Sequence, residues 1–146
     1  MMASVLLAAY ERKHSNENGR TMLLLDTDIM IDVLRHPQPA LDWLAQQGGE
    51  EIILPGFVVL ELFQGCRDKA EQTRLERRVA QARIVRPGES ACAAALQTYA
   101  QFHLSHTLGF IDALIGHTAV ELGEPLHTFN TKHYGVIPRL TTIQPY

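Results

Sequence analysis

From Met22 onward the chain alternates between short apolar runs and segments whose apolar residues recur at helical spacing. LLLDT (23–27) and EIILP (51–55) read as buried strands, IVR (84–86) as a short one, LHTF (126–129) as a fourth, and LTTIQ (140–144) as a possible fifth. Helical spacing fills the intervals: 28–36, 39–47, 56–65, about 68–83, about 89–105 and about 110–122. The stop signals agree, with Pro37 and Pro39 breaking the first helix, Gly48-Gly49 ending the second, and Gly123 followed by Pro125 ending the last. Strands this short and apolar, separated by helices, predict one α/β domain of three layers, with a central, mostly parallel sheet of four or five strands. Ligands of such sheets bind beyond the carboxyl ends of the strands, where Asp26 and Asn130 fall.

Ahead of this pattern lies a short apolar stretch, Ala3 to Tyr10, followed by the charged run ERKHSNENGR. A secretory signal would carry its basic residues first. Residues 1–21 therefore read as a leader, poorly ordered or not native, before a domain spanning 22–146. No run of 18 apolar residues occurs, so nothing here predicts a membrane span. Cys66 and Cys92 form no metal or disulfide framework, which points to a reducing, cytoplasmic setting.

Acids stand in positions that otherwise look like core. Asp26 closes the first strand directly after three leucines, and Asp28 follows two residues later. One of the two is expected to cap the next helix; the cap suits Asp28 better, and a chemical role suits Asp26 better. Glu61 is the one polar residue in FVVLELF (57–63), so it must be paired, protonated or near a cation. Asp112 lies at the edge of an apolar stripe near a helix N-terminus, where the helix dipole alone is the competing explanation. Carboxylates gathered together repel unless a cation sits among them, and oxygen-only ligands suit Mg²⁺ or Mn²⁺. The chemistry so implied is metal-dependent phosphoryl hydrolysis. Thr27 reads as a hydrogen-bonding support for these acids. His103 and His106, three apart, read as a surface face rather than a zinc site, and Trp43, Phe57, Phe63 and Phe110 as core or interface.

In this order and spacing, LLLDTDIMIDVL, VVLELFQG and GFIDALIGHTAVELGEPLHTFNTKHYGVI resemble the PIN-domain family, in particular the VapC toxins of bacterial toxin–antitoxin pairs. The resemblance spans about residues 22–144. It implies an Mg²⁺-dependent endoribonuclease with Asp26, Glu61 and Asp112 as principal acids, Asp26 and Asp112 holding the metal and Glu61 acting through water. It also implies a VapB-type antitoxin laid into an apolar groove and a homodimeric state. Asp28 is an extra acid where such proteins often carry Ser, Asn or Thr. Asn130 matches a polar position of the TFNTKHY segment, in which His133 replaces a fourth aspartate and favours one ion over two. Thr27, Asp28, Asn130 and His133 are thus candidate supports of the acids or contacts to substrate.

Net charge changes the picture last. The total is −3, which excludes a protein held to nucleic acid by bulk positive charge. Residues 67–86 nevertheless hold seven basic and three acidic residues, against three basic and eleven acidic in the rest of 22–146. Arg74, Arg77 and Arg78 are candidates for steering RNA phosphates, unless the helix simply pairs its own charges. Two other classes remain open. A PIN-like binding module without cleavage draws on the missing fourth acid. A haloacid-dehalogenase-type phosphatase draws on strand–D-x-D alone, with Met30 where that family wants Thr or Val.

Overall fold

The computed structural model describes residues 21–146; the expected leader, Thr21 apart, lies outside them. Five strands form the sheet: β1 (Met22–Leu25), β2 (Glu51–Pro55), β3 (Arg83–Val85), β4 (Leu126–His127) and β5 (Thr142–Ile143). All neighbours are parallel and the order is β3-β2-β1-β4-β5. The sheet expected to be mostly parallel is therefore wholly so among the described residues. Leu23, Leu24 and Leu25 are buried, as a central strand covered on both faces requires. Thr21 extends β1 by one link, its carbonyl accepting from the Glu51 N–H at 3.2 Å.

The helices are α1 (Thr27–Arg35), α2 (Gln38–Gln46), α3 (Gly56–Gln64), α4 (Lys69–Val79), α5 (Glu89–His106), α6 (Phe110–Leu122) and α7 (Thr131–Tyr134). Each of the six long ones falls where periodicity places it. α7, of four residues, is too short to show a period. Several boundaries differ from expectation. β1 stops at Leu25, because Asp26 turns the chain as the N-cap of α1. α4 ends at Val79, so Ala80 to Ala82 form the turn into β3. β4 and β5 each shorten to two residues, although the Thr128 N–H still donates to the Ile143 carbonyl at 3.0 Å.

One core joins Leu24, Leu25, Ile29, Ile53, Leu54, Val58, Ile115 and Leu126 to the buried ring of Tyr134. From β1 the chain moves outward to β2 and β3, then returns to the other side of β1 as β4. The direction of winding thus reverses between β1 and β4. Beyond the carboxyl ends of those two strands lies the crevice such a reversal opens. Among the described residues no helix is long and apolar enough to cross a membrane. Cys66 and Cys92 are both free thiols.

Candidate metal centre

Asp26 and Asp28 divide their work differently from the sequence expectation. Asp26, only 5% exposed, is the cap: its backbone is extended and its Oδ1 accepts from the Thr27 N–H at 2.8 Å. Its own N–H donates to the His127 carbonyl at 3.0 Å, which fixes it to the end of β4. Asp28 lies in the first turn of α1. Oδ1 of that residue takes the Ile29 N–H at 2.7 Å, and Oδ2 takes the Phe129 N–H at 2.9 Å. Asp28 therefore ties α1 to the segment after β4, where a local cap was the expectation.

Two residues that sequence reasoning passes over complete the surroundings of Asp26. The Thr128 hydroxyl donates to Asp26 Oδ2 at 2.8 Å and stands 3.3 Å from Asp28 Oδ2. The Tyr134 hydroxyl lies 3.1 Å from Asp26 Oδ1 and 3.5 Å from Asp112 Oδ1. A threonine in a strand and a tyrosine in an apolar context look like filling. Only their position at the ends of β4 and α7 gives them away.

Asp112 sits in the first turn of α6 and accepts from the Gly109 backbone N–H, which caps that helix. Glu61 is on α3 and half-buried; Leu60, at 56% exposed, is the residue of that run that meets solvent. A uniformly buried helix is thus not what forms. No arginine pairs with Glu61 among the described residues.

Electrostatics shows that the acids share one space. Burial lifts the Asp26 carboxyl from its ordinary 3.8 to about 6, with the charge of Asp28 adding to the rise. Glu61 is lifted to about 7, first by desolvation and then by the charges of Asp112 and Asp26. Desolvation also raises Asp28 and Asp112. The charge of His133 lowers the Asp112 carboxyl, which puts His133 in the neighbourhood of that acid. Asn130 is the N-cap of α7, and its N–H donates to the Thr128 hydroxyl at 3.0 Å; it supports Thr128 and has no bond of its own to an acid among the described residues.

The donor set suits a hard divalent cation. Four carboxylates, Asp26, Asp28, Glu61 and Asp112, are desolvated and mutually repelling, and none has a Lys or Arg partner among the described residues. The Thr27 hydroxyl faces Glu61 and is buried, yet no full hydrogen bond satisfies it. Among the described residues no three His, Cys, Asp or Glu side chains already stand as a finished coordination set. Asp26 explains part of this. Its Oδ1 is saturated by Thr27 and Tyr134, and one lone pair remains on Oδ2 beside Thr128.

Beside Glu61 runs a groove of about 380 Å³ with an apolar floor of Ile31, Leu34, Leu62 and Leu75 and a basic edge of Arg35, Arg74 and Arg78. Arg74 and Arg78 are one helical turn apart and reach this groove; Arg77 is not among its lining residues. The ion pairs on this segment engage Arg67 with Glu71 (3.3 Å) and Lys69 with Glu76 (3.7 Å), so self-pairing takes up only its first part. The Arg78 guanidinium meets the His36 ring Nε2 at 3.1 Å. The remaining histidines take structural places. His117 is buried against the Thr98 hydroxyl at 2.7 Å, and His103 stacks on Tyr99. Trp43 is buried beside His127, while Phe110 is 60% exposed.

Solved structures share this arrangement of chain. FitAcB from Neisseria gonorrhoeae is 22% identical, with a TM-score of 0.67, covering 85% of this chain and 98% of that one. VapBC2 from Rickettsia felis, bound to a DNA fragment from its promoter, is 21% identical with a TM-score of 0.70, covering 84% and 98%. VapBC-1 from nontypeable Haemophilus influenzae is 21% identical with a TM-score of 0.67, covering 84% and 97%. At this identity the likeness is one of fold. No functionally curated protein matches the chain. Residues 23–136 do match the PIN domain, most of the described fold and all the acids above, and the chain belongs to the PIN domain family.

Proposed function

We propose that the protein is an Mg²⁺-dependent endoribonuclease and the toxin of a VapBC-type toxin–antitoxin pair. The observation that carries this reading is the meeting of Asp26, Glu61 and Asp112 at the switch between β1 and β4, desolvated and without a basic partner among the described residues. Asp26, through Oδ2, and Asp112 would hold the ion, with Mn²⁺ a substitute and Glu61 reaching it through water. Bound there, Mg²⁺ supplies a water of lowered pKa and offsets charge developing on a scissile phosphate.

This chain's own residues do the positioning. Thr128 and Tyr134 orient the Asp26 carboxylate, and the Gly109 N–H orients Asp112. Glu61, whose carboxyl lies near 7, is suited to take up a proton at its carboxylate near neutral pH. Arg74 and Arg78 line a groove that includes Glu61, and there they would draw an RNA backbone toward the acids.

The same groove suits a VapB-type antitoxin. Its apolar floor fits one face of a helix, and Glu61 at its edge fits a basic side chain. The structural relatives were solved as toxin–antitoxin complexes, which supports such a partner. Exposed Leu96, Leu104 and Phe110 support self-association as a homodimer. A cytoplasmic location follows from the same reading.

Purified protein should cleave RNA with Mg²⁺, stop in EDTA, and lose activity in Asp26→Asn and Asp112→Asn. Full activity in both variants overturns the proposal. A second reading, a module that binds without cutting, draws on His133 at the fourth-acid position and on the unfinished coordination set. Calorimetry showing no Mg²⁺ or Mn²⁺ binding selects it.

A further inference from the structure

Tyr134 is 1% exposed and carries its hydroxyl into the space between two carboxylates that belong to distant parts of the chain. Asp26 is held at the end of β1 and Asp112 in the first turn of α6. The two elements meet through the shared core, and the Tyr134 hydroxyl lies between the carboxylates themselves. A phenol has one proton to give, so its hydroxyl donates to one carboxylate at a time: to Asp26 Oδ1 at 3.1 Å, or to Asp112 Oδ1 at the longer 3.5 Å. The Tyr134 ring packs beside α6 near Gly116, one turn beyond Asp112, where the missing side chain makes room for Ile137. A Cβ there would stand 3.5 Å from Tyr134 Cδ1 and collide with the Ile137 methyl.

We propose that Tyr134 is a positioning residue whose hydroxyl joins Asp26 to Asp112 and presets the gap that a divalent cation enters. The inference rests on the metal reading above and adds a residue to it. Metal entry does not require the tyrosine to leave, because it uses Asp26 Oδ1 while the open lone pair is on Oδ2 beside Thr128. Tyr134 therefore acts with the metal and does not compete for its place. Hydrogen bonds of this kind to metal ligands change affinity by about 10–100-fold when removed.

The test is calorimetric titration of Mn²⁺ into metal-free full-length protein, wild type against Tyr134→Phe, with circular dichroism in EDTA checking the fold. The variant loses one oxygen and keeps its ring in the core. Its Kd for Mn²⁺ should rise by about 10-fold or more while the secondary structure is unchanged. A variant that binds as tightly as wild type, or tighter, overturns the role. Wild type that takes up no Mn²⁺ overturns the metal reading itself, and this inference with it. A second measurement needs no variant: the Tyr134 hydroxyl proton, shielded by burial, should stay visible by NMR and shift when Mg²⁺ is added. Its loss on saturation would mean that the metal displaces the tyrosine, and would also overturn the role.

Discussion

The Thr128 hydroxyl donates to Asp26 Oδ2 at 2.8 Å across a sequence separation of 102 residues, from the end of one parallel strand to the end of its neighbour. The bond favours the ionised carboxylate, since it lowers a carboxyl that burial raises. Thr128→Val keeps the shape and removes the donor. It also removes the acceptor of the Asn130 N–H. Chemical denaturation of metal-free protein should show a loss of about 1–3 kcal/mol at pH 8, and a smaller loss at pH 5, where Asp26 is largely protonated. Equal losses at both values would mean that the hydroxyl serves Asn130 alone.

The raised acids set the pH dependence of the metal-free fold. Asp26 and Glu61 hold protons up to about 6 and about 7 in the folded chain, whereas unfolded they release them near 3.8 and 4.5. Between those values the folded state binds more protons, so stability falls as pH rises from about 4 to about 7. The midpoint of thermal unfolding in EDTA should therefore drop by several degrees from pH 4.5 to pH 8. Asp26→Asn removes one buried charge and keeps a good cap residue, so its midpoint at pH 8 should exceed that of wild type by a few degrees. Mg²⁺ should raise the wild-type midpoint at pH 8 and leave that of Asp26→Asn almost unmoved. A pH-independent midpoint in EDTA would contradict the desolvation of these groups.

The sequence made the acids visible because each breaks an apolar pattern. Asp26 ends a leucine run, Glu61 interrupts FVVLELF, and Asp112 opens a helix with a strong stop signal. The groups that orient them were hidden for a different reason. Tyr134 and Thr128 fit the apolar pattern, and their polar atoms acquire meaning only once β4 is known to lie beside β1. Strand order is a long-range property that no local period encodes. The choice of cap was hidden too, because Asp-Thr-Asp offers two candidates and the tie from Asp28 to the Phe129 N–H depends on the same adjacency. The separation of Arg77 was only partly legible: it is three residues from Arg74, a neighbouring position, but it adjoins Arg78 and projects about 100° round the helix from it.

That helical phase gives a prediction within one segment. Arg74 and Arg78 line the groove containing Glu61, and Arg77 does not, although all three are exposed. None of the three is in an ion pair among the described residues, and the contact of Arg78 with His36 is exposed, so replacing them should leave stability within about 0.5 kcal/mol. If RNA follows the groove, Arg74→Ala with Arg78→Ala should weaken binding several-fold at moderate salt. The slope of log affinity against log salt should also become shallower, by about 0.7 for each phosphate of a single strand that is no longer neutralised. Arg77→Ala should change neither quantity appreciably. Fluorescence anisotropy of a short labelled RNA, titrated at three or more salt concentrations against Asp112→Asn protein to prevent cleavage, measures both. Equal effects from all three arginines would mean that the helix acts through its overall charge, and the groove would lose its claim to the RNA path.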